Sequence, residues 1–417
     1  MVRALLPVTG LMLSTFFLLA GSGLTGILLP LRAGIEGWGP VTIGWMGFGY
    51  ALCFTGGCII VPRLVLRVGH VRVYAVLATV LSMSLLLHAL VINPLTWILF
   101  RGFAGFALAG SYMVVESWLN EKATNETRGQ IFSIYMIMNM VGLMAGQFML
   151  VLGDPATTYL FIVGALMYAM AVIPTGLSNA TSPQPLTQVS FDLVKLYRNS
   201  PAALIGMLLT GVIAGIWNFQ APVFAGLIGL EGSQIPLMLA LAMIGGAIFQ
   251  FPLGRISDRM DRRIVMVFAG GFGLLISAVF VMTTLSASPV SVFILMFLFG
   301  AVLFPIYSLV VAHANDFAEP SDFVELSSSL LIINGIGAMI GPVLSGWLMT
   351  SLGAGGFFVA MGLCYAIFAG YAGWRITQRD AVATEDMTDF TYMPTTRSQT
   401  PETLNLDPRS EDSELSV

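Results

Sequence analysis

Charge is the scarcest property of this chain. Asp, Glu, Lys and Arg make up 10% of its 417 residues, while 57% are hydrophobic. A water-soluble protein carries roughly a quarter of its residues as charges. This chain cannot coat itself with charge, so most of its surface faces a bilayer rather than water.

Other absences narrow the chemistry. The three cysteines, Cys53, Cys58 and Cys364, lie in apolar runs without metal or disulfide spacing, as small core residues do. No Gly-x-x-x-x-Gly-Lys loop is present, which excludes ATP-driven work by this chain alone. No His or Cys cluster falls inside an apolar run, and no Asp or Glu falls at the middle of one. These gaps argue against an enzyme, a metal or a cofactor, and against a sodium site built on a buried carboxylate. Nucleic acid is not an expected partner. The net charge of −4 belongs to residues 376–417, which hold nine acids and three arginines, and the rest is nearly neutral.

Long apolar runs are what the chain has instead. A hydrocarbon core of about 30 Å takes roughly 20 residues to cross as a helix. That window predicts twelve spans, at about 8–31, 41–61, 73–92, 95–115, 130–152, 158–178, 202–225, 236–253, 264–286, 290–312, 327–350 and 356–375. The first begins like a secretory leader, but its run continues to Leu31 and more spans follow, so it reads as a transmembrane helix. The expected domains are six-helix bundles at 1–178 and 201–376, joined by a cytoplasmic linker at 179–200. Within that linker "FDLVKLYRN" forms a short surface helix. Residues 377–417 read as a disordered acidic tail. With both termini cytoplasmic, sixteen of the 18 basic residues face the cytoplasm, the exceptions being Arg32 and Arg101.

The two halves are related. A shift of about 192 residues lays "PRLVLRVGHVR" (62–72) on "GRISDRMDRR" (254–263), matching Arg63 with Arg255 and Arg67 with Arg259. A shift of 195 lays "LNEKA" (119–123) on "ANDFA" (314–318), and "NMVGLMAG" (139–146) on "NGIGAMIG" (334–341). Duplicated six-helix units around a central site are a common construction of secondary transporters.

These residues resemble the major facilitator superfamily, whose loop signature reads roughly Gly-x-x-x-Asp-Arg-x-Gly-Arg-Arg. Here Gly254, Asp258, Arg259, Arg262 and Arg263 supply it, with Asp261 in place of the second Gly. "RGFAG" (101–105) resembles a second feature of the family, an Arg with glycines in the fourth span. "ESWLNEKATNETRGQ" (116–130) is similar to a bacterial branch, the YcaD-like transporters. The resemblance covers about residues 5–376. It implies an all-α integral membrane protein, with twelve helices in two pseudo-symmetric six-helix bundles. It also implies a monomer of a bacterial inner membrane, moving a small organic solute by alternating access, with protons as the expected partner.

The resemblance gives Arg101 a role in proton coupling or in contact with a substrate anion; a structural Arg bonded to backbone carbonyls is the alternative. Glu116, at the inner end of the same span, is either its protonatable partner or an interfacial anion. The cytoplasmic gate is expected from Asp258, latched on the start of the fifth span near Arg128. Arg259, Arg262 and Arg263 are expected on anionic lipid heads, and a plain topology signal is the alternative. The first copy has Leu66 where Asp is expected, so an Arg67–Glu116 pair serves as its substitute.

The neutral polar residues inside the spans are Tyr112, Asn139, Gln147, Asn218, Gln220, Gln250, Tyr307 and Asn334, with Trp217 beside them. A cavity lined by amides, tyrosines and aromatics suits an uncharged or amphiphilic molecule. Interhelical hydrogen bonds are the competing reading for each Asn. Export is preferred over import, and proton coupling over uniport, while a non-transporting sensor stays open. Deleting 381–417 is expected to leave transport intact.

Overall fold

The computed structural model describes residues 9–124, 127–177, 192–283, 288–318, 323–382, 387–388, 390 and 400. Twelve of its helical stretches are long and apolar enough to cross a membrane. They run α1 (Thr9–Ile35), α2 (Pro40–Val68), α3 (His70–Leu90), α4 (Pro94–Lys122), α5 (Arg128–Phe148) and α6 (Tyr159–Gly176). A short α7 (Leu193–Asn199) precedes α8 (Pro201–Leu227), α9 (Gln234–Ser257) and α10 (Arg262–Thr283). The next crossing is broken into α11 (Pro289–Leu303) and α12 (Pro305–Asn315), followed by α13 (Phe323–Leu352) and α14 (Gly355–Ile376).

Each predicted span is present, and α2 and α4 outrun the apolar runs that betray them. The α2 helix continues past its predicted end at 61, so Arg63 and Arg67 stand on a helix rather than in a loop. The link to α3 is Gly69 alone, at φ 88°, a left-handed conformation that a side chain would strain. Starts are marked by proline at the first turn, where a missing N–H costs nothing. Asn93 accepts from the Leu95 N–H at 3.0 Å, and Ser200 accepts from the Ala203 N–H at 3.3 Å. Pro305 carries no N–H and removes one bond from the helical ladder, and the crossing breaks there between α11 and α12.

The chain divides into two compact units. One holds Met1–Glu36, Gly49–Val189 and Ser398–Val417; the other holds Gly37–Phe48 and Ser190–Arg397. In the first, α1 packs on α5 so closely that a β-carbon at Gly146 would collide with the Ala20 carbonyl. In the second, α8 packs on α13 in the same way, Gly341 lying against the Val212 carbonyl. Small residues at such crossings let two backbones touch, which gives packing where lipid offers no hydrophobic drive. Large apolar side chains such as Phe268, Met282 and Trp347 lie on the outside, as lipid-facing residues do.

The linker predicted at 179–200 falls largely outside the described residues, as does most of the tail. Its described end is α7, capped by Asp192, which accepts from the Val194 and Lys195 N–H groups at 2.9 Å. Lys195 pairs with Glu325 at 3.2 Å, which ties α7 to α13.

Candidate functional site

The first unit gathers its buried polar groups on α4 and α5. Glu116 is 0% exposed near the end of α4, which runs on to Lys122. Its Oε1 accepts the Tyr135 phenol at 2.7 Å, and its Oε2 accepts the Thr400 hydroxyl. One turn beyond Tyr135, Asn139 donates from Nδ2 to the Tyr135 carbonyl at 2.8 Å. The Asn139 Oδ1 is buried without a hydrogen-bond partner among the described residues. Tyr112 lies within electrostatic reach of Tyr135 and completes the cluster.

Arg101 sits higher on α4, 5% exposed, with its guanidinium over the Tyr50 ring at 4.6 Å. A cation held on an aromatic face keeps its charge in a span at reduced cost. Nearby on α3, His88 bonds the Ser84 carbonyl at 2.7 Å and packs edge-on to Trp97. Arg67 is exposed on α2, whereas Glu116 is enclosed beside Tyr135, so the structure does not bring those two together. Arg128 opens α5.

The second unit places its predicted interior residues more variously. Gln220 is 0% exposed and donates from Nε2 to the carbonyls of Pro40 (2.8 Å) and Pro342 (2.9 Å). Trp217 stacks edge-on with Phe304, ring centroids 6.2 Å apart, at the break between α11 and α12. Asn334 directs Nδ2 to the Met207 sulfur at 3.6 Å, and Tyr307 is buried on α12. Asn218 is half-buried on α8. The Oε1 atoms of Gln147 (first unit), Gln220 and Gln250 are buried without partners among the described residues.

The signature loop corrects one expectation. Arg262 and Arg263 do not face lipid: they are 1% and 3% exposed. Arg262 donates from Nε to Asp316 Oδ2 at 2.7 Å, and from Nη1 to Ser257 Oγ (2.6 Å) and Asp258 Oδ1 (3.1 Å). Arg263 clamps Asp261 with three bonds of 2.7–3.1 Å, and caps α14 through the Arg375 and Arg379 carbonyls. Burial pushes the Asp261 carboxyl up, but the Arg263 donors outweigh it and hold it below the usual carboxylate value. A charge buried this deeply must be paired, and the surplus arginines find their partners in protein rather than in lipid. Arg259 alone of the three stays exposed.

Sequence reading missed Tyr135, Tyr50, Ser257 and Asp316. Asp316 was within reach, since the shift of 195 lays it on Glu121. By the same duplication Arg262 falls on His70, which bonds Ser117 at 3.4 Å and feels the charge of Glu121. The first copy therefore keeps the positions of the Arg262–Asp316 pair in a weaker form.

The family model of the Major Facilitator Superfamily matches residues 11–324. An uncharacterized MFS-type transporter, YcaD, of Escherichia fergusonii is 26% identical over 353 residues, covering 82% of this chain and 89% of the relative. Another, from Enterobacter sp. (strain 638), is 24% identical over 349 residues with the same coverage. Among solved structures, a mutant of the nucleoside transporter NupG superposes with a TM-score of 0.76 at 15% identity, over 88% of this chain and 98% of that one. An inward-facing, occupied bacterial homologue of the lysosomal transporter Spinster gives 0.70 at 15% identity, over 91% and 97%. At such identities the likeness concerns the fold alone.

Proposed function

Since the chain belongs to the Major Facilitator Superfamily, we propose that this multi-pass membrane protein exports a small organic solute in exchange for protons. The six-and-six division, the cytoplasmic termini and the bacterial inner membrane are part of the same reading. The bias of basic residues toward one side supports the orientation.

Glu116 carries the coupling. An ionisable group inside a span is expensive and is retained where it works. As a carboxylate it needs the donors it has, Tyr135 and Thr400. Taking up a proton removes the charge and turns one oxygen into a donor, which weakens its claim on both partners. Protonation and local rearrangement are thereby linked. Arg101, fixed over Tyr50 on the same helix, holds the positive charge that biases this step or meets an anionic part of the solute. The neutral amide side chains of Asn139, Gln147, Gln220 and Gln250 support an uncharged, hydrogen-bonding solute over a simple ion.

The test is flux. Protein in liposomes loaded with the pH dye pyranine is challenged with a panel of metabolites and lipophilic cations, preselected by thermal shift. A coupled exporter moves protons against the solute, and Glu116→Gln keeps the thermal shift but loses the dye response. Solute flux that ignores an imposed pH gradient overturns the coupling, and binding without any flux overturns transport.

A further inference from the structure

The signature loop between α9 and α10 holds more than its own charges. Asp258 Oδ1 accepts the Phe390 N–H at 2.9 Å. Asp316 Oδ1 accepts both the N–H and the hydroxyl of Thr388, at 3.0 and 2.9 Å. The Thr388 carbonyl in turn accepts from Arg262 Nη2. The Phe390 ring covers Gly254, where an added β-carbon would come within 2.8 Å of Cε1 and 3.0 Å of Cγ. All these groups belong to the second unit.

We propose that this loop is a docking site for Thr388 and Phe390 of the chain's own C-terminal region, which strap the loop in one conformation. Charge arithmetic explains the fit. Arg262 faces two carboxylates, Asp258 and Asp316, so the cluster carries one surplus negative charge and more acceptor positions than the guanidinium fills. Two backbone N–H groups and one hydroxyl supply the missing donors, and the Thr388 carbonyl takes up a remaining guanidinium hydrogen. The donors come from Thr388 and Phe390, two residues apart.

Gly254 is the specificity element. Its missing side chain is the seat of the Phe390 ring, so a residue shared with the family signature here serves a segment outside that signature. The first copy of the loop has Pro62 and Leu66 at the equivalent places, without the seat or the carboxylate. The strap therefore fits only one of the two copies. On this reading the tail is not a neutral appendage: its release takes two donors from Asp316 and one from Asp258, and loosens the buried Arg262.

Hydrogen exchange on the full-length protein in detergent tests this without any solute. The amides of the 387–390 peptide should exchange at least tenfold more slowly than in a synthetic peptide of the same sequence. Gly254→Leu fills the seat, and Thr388→Glu sets a third carboxylate against Asp316. Each should abolish that protection and also speed exchange in the loop at 258–262. Phe390→Ala, which changes no residue of the spans themselves, should do the same more weakly and guards against misfolding of the Gly254 variant. Peptide-like exchange of 387–390 in the unmodified chain overturns the proposal. So does loss of tail protection that leaves the 258–262 loop unchanged.

Discussion

Tyr135 on α5 gives its phenol hydrogen to Glu116 on α4 across 2.7 Å, and neither side chain reaches the surface. The pair joins two neighbouring spans through a carboxylate where hydrocarbon would otherwise be the expected surroundings. Removing the phenol hydrogen with Tyr135→Phe leaves a buried acceptor short of a donor. The expected cost is about 1–3 kcal/mol of stability, seen as a lower thermal midpoint in detergent. The proton response of pyranine-loaded liposomes should also weaken, because the carboxylate loses the donor that holds it in place. An unchanged midpoint and response would remove Glu116 from the coupling mechanism.

Arg262 and Asp316 make a second buried relationship, with side chains 0% and 2% exposed. Arg262→Ala strands Asp316 without its cation, and about 3–5 kcal/mol should be lost, as when one partner of a buried pair is removed. The double variant Arg262→Ala/Asp316→Ala should be less damaged than the sum of the two single variants. Strict additivity in thermal unfolding would show that the two do not act as a unit.

Asp261 lies outside the spans and has its carboxyl held below the usual value by Arg263. A depressed folded-state pKa stabilises the fold at all pH values above the unfolded value, near 4. That contribution fades as the pH falls through the lower folded value. Acid unfolding below about pH 4 should therefore begin at higher pH in Asp261→Asn than in the unmodified chain, since the asparagine cannot keep the ion pair with Arg263. Identical acid limbs, followed by tryptophan fluorescence, would contradict the assignment.

The crossings were legible because lipid imposes one rule, an unbroken apolar run of sufficient length, and every α-helix that spans obeys it. Their ends were less so. The α2 helix continues through Pro62, Arg63 and Arg67 because a helix need not stop where the hydrocarbon does, and long basic side chains carry their charge to the interface. The duplication exposed Asn139 and Asn334 as equivalents, yet Asn139 bonds within its own helix while Asn334 reaches across to a methionine sulfur of α8. The burial of Arg262 and Arg263 could not be read, since their partners Asp316 and Arg379 stand 54 and 116 residues away. The enclosure of Glu116 could not be read for the same reason, since its partner Tyr135 stands 19 residues away on the next helix.

Gly69 is the whole connection between α2 and α3, whereas α9 and α10 are separated by Asp258–Asp261. One residue with a fixed left-handed twist leaves no slack. A tilt imposed on α2 must appear as a tilt of α3, as in a cranked lever. The four-residue joint of the other copy can take up part of such a motion before α10 follows. The duplicated design is thus stiff at one elbow and sprung at the other.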